Sequence, residues 1–266
     1  MRAVSRRQFG CTAVAILSGA AVASEPFRLN IGIGTFSYHT LSLDEMIVQL
    51  KDNHVEEIEM SRGEFMLMKP PTQQMVESAR RKLDAAGIRC VSYYTATIKD
   101  QRDLELALLY AKILGAVNVS GDAVGPILHD IDRRFTEAGL TFGIHNHWFP
   151  QKFPYESADD VLKAISSLSN TVGSTLDVGQ LAACGYDPVD GVRRLQPRLK
   201  IVHLKDVEAA GAEHNVLLGT GIANIPGVMQ ELQRIRFSHL VAIEFEKEGN
   251  DNQEMRNELA YARKLA

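Results

Sequence analysis

The chain has 266 residues, of which 45% are hydrophobic and 23% are charged, and its formal net charge is −4 at pH 7. The negative balance argues against non-specific nucleic-acid binding, because such binding depends on neutralising phosphates with Lys and Arg. A chain of this length can bury the core of one substantial domain. Beyond residue 24, no apolar stretch reaches membrane-spanning length.

The first 24 residues have the pattern of an export signal. Three arginines precede an apolar stretch at 11–23 that is short for a membrane span, and Ala-Val-Ala at 21–23 fits a cleavage site. Ser-Arg-Arg-Gln-Phe at 5–9 also resembles the twin-arginine signal. We therefore expect a periplasmic protein without stable membrane association after cleavage, with an uncleaved anchor as the alternative. Removing the three arginines changes the formal net charge from −4 to −7.

From Phe27 onward, short β-like runs alternate with longer amphipathic segments. The eight β-like runs are 28–34, 55–60, 88–94, 116–121, 140–146, 172–177, 199–204 and 239–245. Helical spacing of apolar residues is found at 43–53, 72–87, 103–115, 158–169 and 225–236. Several helical patterns begin at a capping Ser, Thr or Asp, and two end at Gly87 and Gly115, which suit the left-handed position after a helix.

Eight strand–helix units of roughly 30 residues each predict an α/β protein with a (β/α)8 TIM barrel. The first turn reads GIGTFSYHT and lacks the third glycine of the dinucleotide-binding fingerprint, which argues against a doubly wound sheet. No linker, repeat or low-complexity tract interrupts the pattern. We expect one domain over residues 25–266.

Ionisable and amide side chains recur at the carboxyl ends of the predicted strands, where such barrels build their active sites. They are Glu59, His145, Asn146, His147, Asp177, His203, Lys205, Asp206, Glu244 and Glu246. A charged residue inside an apolar strand is costly unless it is paired or bound to a ligand. Their convergence on one rim therefore calls for a common explanation.

Most of these residues also have an interpretation without function. Glu59 could point outward, Asp177 could cap a turn or helix, and His203 could be a hydrogen-bonded core histidine. Lys205 and Asp206 could form a solvated ion pair of little energetic weight. Each alternative stays open at the level of the single residue.

His145, Asp177, His203 and Glu244 come from four successive strands and can share one ion. Two imidazoles and two carboxylates suit Mn²⁺, Fe²⁺, Co²⁺ or Zn²⁺ better than Ca²⁺ or Mg²⁺, which prefer oxygen ligands. His147 lies two residues from His145, on the same face of a regular strand. It is therefore an alternative ligand or a residue that contacts the substrate.

Five motifs together resemble the sugar phosphate isomerase/epimerase family of xylose isomerase-like barrels. They are GIHNHW (143–148), TLDVGQLAACGYDP (175–188), VHLKD (202–206), LGTGIANIPGV (218–228) and AIEFE (242–246). The resemblance implies keto-sugar substrates and one divalent metal, held by His145, Asp177, His203 and Glu244. By the same resemblance, Glu59 matches the acidic residue that ends strand two.

The chain departs from the family at one important position. The epimerases of the family resemble one another in having Glu at the strand-five ligand position, where it acts as one of two bases. Here the position is His145, as in a subgroup whose motif reads His-Asn-His. A metal-bound neutral imidazole has no free lone pair on its ligating nitrogen, so the two-carboxylate proton transfer is in doubt.

We predict a metal-dependent isomerase or epimerase that acts on a keto-sugar or sugar derivative through an enediolate. Elimination of a β-substituent, as in a lyase or dehydratase acting on an inosose or 3-keto-glycoside, is the alternative. The candidate catalytic residues are Glu244, Glu59, Lys205 and His147. The candidate substrate contacts are Trp148, Asp206, Asn146 and His39.

Two other classes of protein remain as alternatives. A non-catalytic periplasmic sugar-binding protein would need no metal-binding quartet, and an abasic-site endonuclease would need more metal ligands and a basic DNA-binding face. The expected partner is a small-molecule sugar rather than nucleic acid. The sequence leaves open which metal binds and whether the chain forms a homo-oligomer.

Overall fold

The computed structural model describes residues 27–61, 71–95, 97–148, 154–212, 215–246 and 252–266. The predicted export signal at 1–24 lies outside these residues, so it stays a prediction. Among the helices within these ranges, none is long and apolar enough to cross a membrane.

Eight parallel strands close into a barrel, in which the first strand along the chain pairs with both the second and the last. They are β1 (Asn30–Gly34), β2 (Glu57–Ser61), β3 (Arg89–Tyr94), β4 (Asn118–Gly121), β5 (Thr141–His145), β6 (Val172–Asp177), β7 (Leu199–Leu204) and β8 (Leu240–Ile243). Each predicted β-like run covers one of these strands, except that β2 extends one residue beyond its run, to Ser61. The predicted single-domain (β/α)8 barrel is confirmed.

Helices follow the strands around the barrel. In the described part of the chain they are α1 (Leu43–Asp52), α2 (Gln73–Ala86), α3 (Gln101–Leu114), α4 (Ile127–Ala138), α5 (Ala158–Ala164), α6 (Val178–Ala183), α7 (Pro188–Leu195), α8 (Ile225–Arg234) and α9 (Asn252–Leu265). The five helical patterns read from the sequence correspond to α1, α2, α3, α5 and α8. After β7, the two-residue strands Asp206–Val207 and Asn215–Val216 form a small antiparallel pair.

The helix ends follow local sequence signals. The side chains that accept a hydrogen bond from the first helical turn of α1, α2, α3 and α5 are Ser42, Thr72, Asp100 and Ser157. Gly87 and Gly115 end α2 and α3 with φ angles of 73° and 74°. Glycine adopts this left-handed conformation without the clash that a Cβ atom would cause.

Two irregularities in the strand register determine which side chains lie opposite one another. One extra residue interrupts the pairing of β3 with β2, and another interrupts the pairing of β7 with β6. A one-residue shift changes which side chains face the same neighbour. Beyond these shifts, Glu59 is paired with Ser92, and Asp177 is paired with His203.

A large apolar core contains buried residues of both the strands and the helices. A second, smaller cluster contains Ile201, Leu240 and Ala242. Because side chains alternate along a strand, Ile201 shares a face with His203, and Ala242 shares a face with Glu244. This small cluster is therefore an apolar floor beneath the polar residues at the carboxyl end of the barrel.

Candidate metal centre

The four residues predicted as metal ligands meet at the carboxyl end of the barrel. His145 and Asp177 end β5 and β6, His203 is the next-to-last residue of β7, and Glu244 follows β8 directly. All four are buried. One potential ligand atom from each lies within 4.8 Å of those of the other three.

One nitrogen of each imidazole and one oxygen of each carboxylate face a common centre. His145 Nε2 lies 3.1 Å from His203 Nδ1 and 3.7 Å from Asp177 Oδ2. On the other side, His203 Nδ1 lies 3.4 Å from Glu244 Oε2. Two nitrogen and two oxygen donors form a ligand set that suits Zn²⁺, Mn²⁺, Fe²⁺ or Co²⁺.

Asp177 supports this interpretation through its second carboxylate oxygen. Its Oδ1 accepts a hydrogen bond from the Gln180 main chain at 2.8 Å and so caps α6. Its Oδ2 faces the centre and is buried without a hydrogen-bond partner. A buried oxygen without a hydrogen bond is costly, even with the Lys205 ammonium 3.6 Å away, and a bound cation would reduce that cost. Asp177 is thus both the helix cap and a residue suited to bind a metal.

Neighbouring opposite charges outweigh the effect of burial on the pKa values of His203 and Glu244. Burial would lower the pKa of His203, but Glu244 and Glu59 raise it well above its usual value. Burial would raise the pKa of Glu244, but His203 and Lys205 lower it well below its usual range. A cation that bound to His203 would have to compete with a proton for the imidazole.

Glu59 points into the barrel, which excludes the outward alternative. Its side chain is almost completely buried, and its Oε1 contacts His203 Nε2. Its Oε2 accepts hydrogen bonds from the hydroxyls of Ser120, at 2.6 Å, and Ser92. Burial would raise the pKa of Glu59, but His203 and these hydrogen bonds lower it. These contacts place Glu59 behind His203, which differs from the predicted role as a base.

Lys205 is buried in the site, so the alternative of a solvated ion pair with Asp206 is wrong. Its Nζ lies 3.3 Å from Glu244 Oε2 and 3.6 Å from Asp177 Oδ2, and it also contacts Glu246. Burial would lower the pKa of Lys205, but these three carboxylates raise it. Lys205 is therefore held as an ammonium, which can donate a hydrogen bond or a proton but cannot act as a base.

The structure places Asp206, a predicted substrate contact, against main-chain N–H groups. Its buried carboxylate accepts hydrogen bonds from the main-chain N–H groups of Val207, Gly219, Gly221 and Ala223, at 2.9–3.0 Å. Four hydrogen bonds occupy the accepting capacity of a carboxylate. Asp206 therefore fixes the loop after β7.

Asn146, another predicted substrate contact, has a positioning role in the structure. Its Nδ2 donates to the carbonyl of Asp177 at 3.0 Å, and its Oδ1 accepts from the Asp177 N–H at 2.9 Å. The side chain is 1% exposed. Because both ends of the amide are engaged, Asn146 connects the ends of β5 and β6 and positions Asp177.

His147 lies behind His145, together with a carboxylate that the sequence did not single out. His147 Nε2 lies 3.2 Å from His145 Nδ1 and 3.2 Å from Oδ2 of Asp122. Asp122 follows β4 and is buried, and its Oδ1 has no hydrogen-bond partner. In the sequence, the position of Asp122 directly after a predicted strand could have identified it as a candidate. Its segment, GDAVGP (121–126), otherwise has the composition of an ordinary polar loop.

Aromatic side chains border the site. Tyr94 lies edge-on to the ring of His145, with the ring centres 5.3 Å apart. Trp148 is half-buried, and its main-chain N–H donates to Gln180 Oε1 at 2.9 Å. His39 follows β1, where its ring stacks on Phe36. Substrate contact by Trp148 and His39 stays a prediction.

A cavity of about 360 Å³ lies at the opposite end of the barrel. Its lining includes Asn30, Thr141, Lys200 and Leu240, which stand at or near the first residues of their strands. Active sites of TIM barrels lie at the carboxyl ends of the strands. This cavity is therefore separate from the candidate metal centre.

The sequence profile described as "Xylose isomerase-like TIM barrel" matches residues 123–265, which is more than half of the chain. The chain belongs to the xylose isomerase-like TIM barrel family. A search of curated proteins found no significant match to this chain.

Solved structures of other proteins share the fold of this xylose isomerase-like barrel. A sugar phosphate isomerase/epimerase from Parabacteroides distasonis is 17% identical, with a TM-score of 0.64 over 91% of this chain and 98% of that chain. The probable 3-DHS dehydratase AsbF from Bacillus anthracis is 15% identical, with a TM-score of 0.71 over 87% and 97%. The IOLI protein, solved with a zinc atom, is 14% identical, with a TM-score of 0.70 over 89% and 96%. Neighbours in this fold thus include an isomerase/epimerase and a dehydratase.

Proposed function

We propose that the protein is a divalent-metal-dependent enzyme that isomerises or epimerises a keto-sugar or sugar derivative. The observation that carries the proposal is the convergence of four buried ligand atoms within 4.8 Å of one another. Oδ2 of Asp177, which is buried without a hydrogen bond, supports it, because a cation is a suitable partner for that oxygen. Membership of the family and its isomerase/epimerase neighbour agree with this activity.

His145, Asp177, His203 and Glu244 would hold the metal. When bound, a divalent metal supplies Lewis-acid chemistry, because it polarises the substrate carbonyl and stabilises the negative charge that develops beside it. The reaction also needs a group that removes a proton from the carbon next to that carbonyl, and a donor for the oxygen that becomes negative.

The chain offers these groups on two sides of the centre. Next to β8, Glu244 is ionised, and the ammonium of Lys205 lies 3.3 Å from it and can donate to a substrate oxygen. Next to β5, His147 Nε2 lies 3.2 Å from both His145 Nδ1 and Asp122 Oδ2. Histidine is the most common general base. We assign to His147 the proton transfer that a glutamate at position 145 would otherwise perform.

Elimination is the second candidate function, favoured by the position of the Lys205 ammonium, which lies 3.3 Å from Glu244 Oε2 in the site. In that reaction a base removes the proton beside the carbonyl, the electron pair forms a C=C bond, and the C–O bond at the β-carbon breaks. The departing oxygen takes a proton from the Lys205 ammonium. The dehydratase neighbour has the same fold.

We also propose that the chain is exported by the twin-arginine route and acts in the periplasm. The pattern of residues 1–24 supports this, and it favours a free sugar or glycoside as the substrate. Changing Arg6 and Arg7 together to lysine is expected to leave the precursor in the cytoplasm, as measured by fractionation and immunoblotting. Undiminished periplasmic accumulation of this variant would contradict the proposed route.

The metal is tested on the purified protein. After incubation with Mn²⁺, Co²⁺ or Zn²⁺ and removal of excess ion, we expect about one bound metal per chain and a raised melting temperature, because a ligand of the folded state stabilises it. His203→Ala should lose both effects. The matched control is His239→Ala, at the amino-terminal end of β8. A wild-type protein that binds none of the three ions would overturn the proposal.

The reaction is tested by incubating the metal-loaded protein with free and 3-keto sugars in D₂O, followed by NMR and mass spectrometry. Deuterium incorporation without loss of a substituent indicates isomerisation or epimerisation, whereas loss of a substituent indicates elimination. His203→Ala and Glu244→Gln are expected to abolish turnover while circular dichroism shows a folded barrel. Turnover retained by either variant would refute the assigned site.

A further inference from the structure

We propose that Glu59 is a positioning residue that fixes the ring of His203, so that Nδ1 of this ring is the atom offered to the metal. The inference rests on the proposed metal-dependent function, and it assigns Glu59 a role other than that of a base. It follows from the different surroundings of the two ring nitrogens of His203.

The two ring nitrogens of His203 face opposite surroundings. Nδ1 lies 3.1 Å from His145 Nε2 and 3.4 Å from Glu244 Oε2, inside the ligand cluster. Nε2 contacts Glu59 Oε1 on the far side of the ring. A neutral imidazole carries one proton, so a ring that binds a metal through Nδ1 carries its proton on Nε2. That proton needs a buried acceptor, and Glu59 supplies it.

Glu59 is itself held in place from two neighbouring strands. Its Oε2 accepts from the hydroxyls of Ser92 on β3 and Ser120 on β4. The amide of Asn118 donates to both serine oxygens, at 3.0 Å and 3.1 Å. The register shift between β2 and β3 places Glu59 directly opposite Ser92. The carboxylate is therefore fixed before any metal binds.

This arrangement explains why a carboxylate is buried beneath a metal site without binding the metal. A carboxylate that accepts a hydrogen bond from the non-ligating ring nitrogen of a metal-bound histidine fixes the ring and makes the ligating nitrogen more basic. Both oxygens of Glu59 are engaged, and the residue is 1% exposed. A base that acts on the substrate has to reach the substrate, whereas a positioning residue does not.

The experiment compares two variants of strand β2. Glu59→Gln keeps the size of the side chain but removes its charge, and we expect the Co²⁺ affinity, measured by calorimetry, to fall about 10- to 100-fold. Glu57→Gln is the matched control, because Glu57 lies at the other end of β2 and contacts Arg89 and Asn30. Its Co²⁺ affinity should equal that of the wild type.

A second measurement separates positioning from a loss of folding. In the Zn²⁺-loaded wild type, proton NMR should show a downfield resonance from the His203 Nε2–H bound to a carboxylate, and this resonance should move upfield in Glu59→Gln. Ser120→Ala removes one of the hydroxyls that donate to Glu59, and it should weaken Co²⁺ binding less than Glu59→Gln does. This variant tests the inference if Glu59→Gln does not fold.

The outcomes distinguish this inference from the proposed function. If the wild type binds no Co²⁺, the metal site itself fails. If the wild type binds Co²⁺ and the folded Glu59→Gln variant binds it equally well, the positioning role is overturned while the metal site stands. Unchanged affinity in Ser120→Ala counts against the inference in the same way.

Discussion

The ammonium of Lys205 lies among the carboxylates of Asp177, Glu244 and Glu246, inside the carboxyl end of the barrel. A buried lysine without such neighbours would lose its proton, but here the carboxylates raise its pKa. Two of these carboxylates also belong to the predicted metal quartet. Lys205 therefore shares its electrostatic partners with the proposed metal, and its removal should affect binding and turnover in different ways.

We predict that Lys205→Met retains metal binding but loses turnover by about 10²- to 10³-fold, the usual cost of removing one donor to a developing negative charge. Metal affinity should stay equal or rise, because the variant removes a positive charge beside two of the ligands. Calorimetry and the D₂O assay measure the two effects. Lys200→Met, at the amino-terminal end of β7, is the control with unchanged turnover. Near-normal turnover in Lys205→Met would exclude the proposed role.

At the scale of elements, the segment from Leu217 to Ala223 after β7 is held without regular secondary structure. Asp206 accepts hydrogen bonds from three of its N–H groups, and Glu258 of α9 accepts the N–H of Leu218 at 3.1 Å. Gly221 is needed for this approach, because a Cβ atom there would lie 2.2 Å from the carbonyl oxygen of Val207. Two buried carboxylates therefore replace the hydrogen bonds of a helix or strand.

Asp206→Asn should destabilise the fold by roughly 2–4 kcal/mol, because an amide nitrogen would then face two main-chain N–H donors and leave them unsatisfied. Urea unfolding measures the loss, and hydrogen exchange should show faster exchange at Gly219 and Gly221. Glu208→Gln, an exposed change two residues away, is the control. A variant as stable as Glu208→Gln would show that the loop does not depend on the carboxylate.

For the molecule as a whole, Glu258 links stability to pH. Burial raises its pKa to about 7, helped by the charges of Asp206 and Glu254 and opposed by the hydrogen bond from Leu218. A carboxyl group whose pKa is raised by folding contributes stability that is fully present below its unfolded pKa. That contribution is lost as the pH rises from the unfolded pKa through about 7.

We therefore expect the free energy of unfolding of the wild type to fall between pH 5 and pH 8, relative to Glu258→Gln, by at most about 3 kcal/mol. Glutamine cannot ionise, so the variant lacks this dependence. Urea unfolding at the two pH values measures the difference. Glu137→Gln, an exposed change on α4, should follow the wild type. Parallel pH profiles for the wild type and Glu258→Gln would contradict the raised pKa.

The sequence by itself determined the barrel, because its strands and helices are coded by local periodicity and caps that need no distant partner. It also indicated the four strand-end residues of the metal quartet, since parallel strands bring their carboxyl ends to one rim. The tertiary structure decided what no local pattern contains. Strand register and burial determine the inward position of Glu59, the protonated state of Lys205 and the hydrogen bonds by which Asp206 holds the loop after β7. Asp122 became a candidate only when closure of the barrel brought β4 beside His147, because a polar loop residue carries no signal of its neighbours.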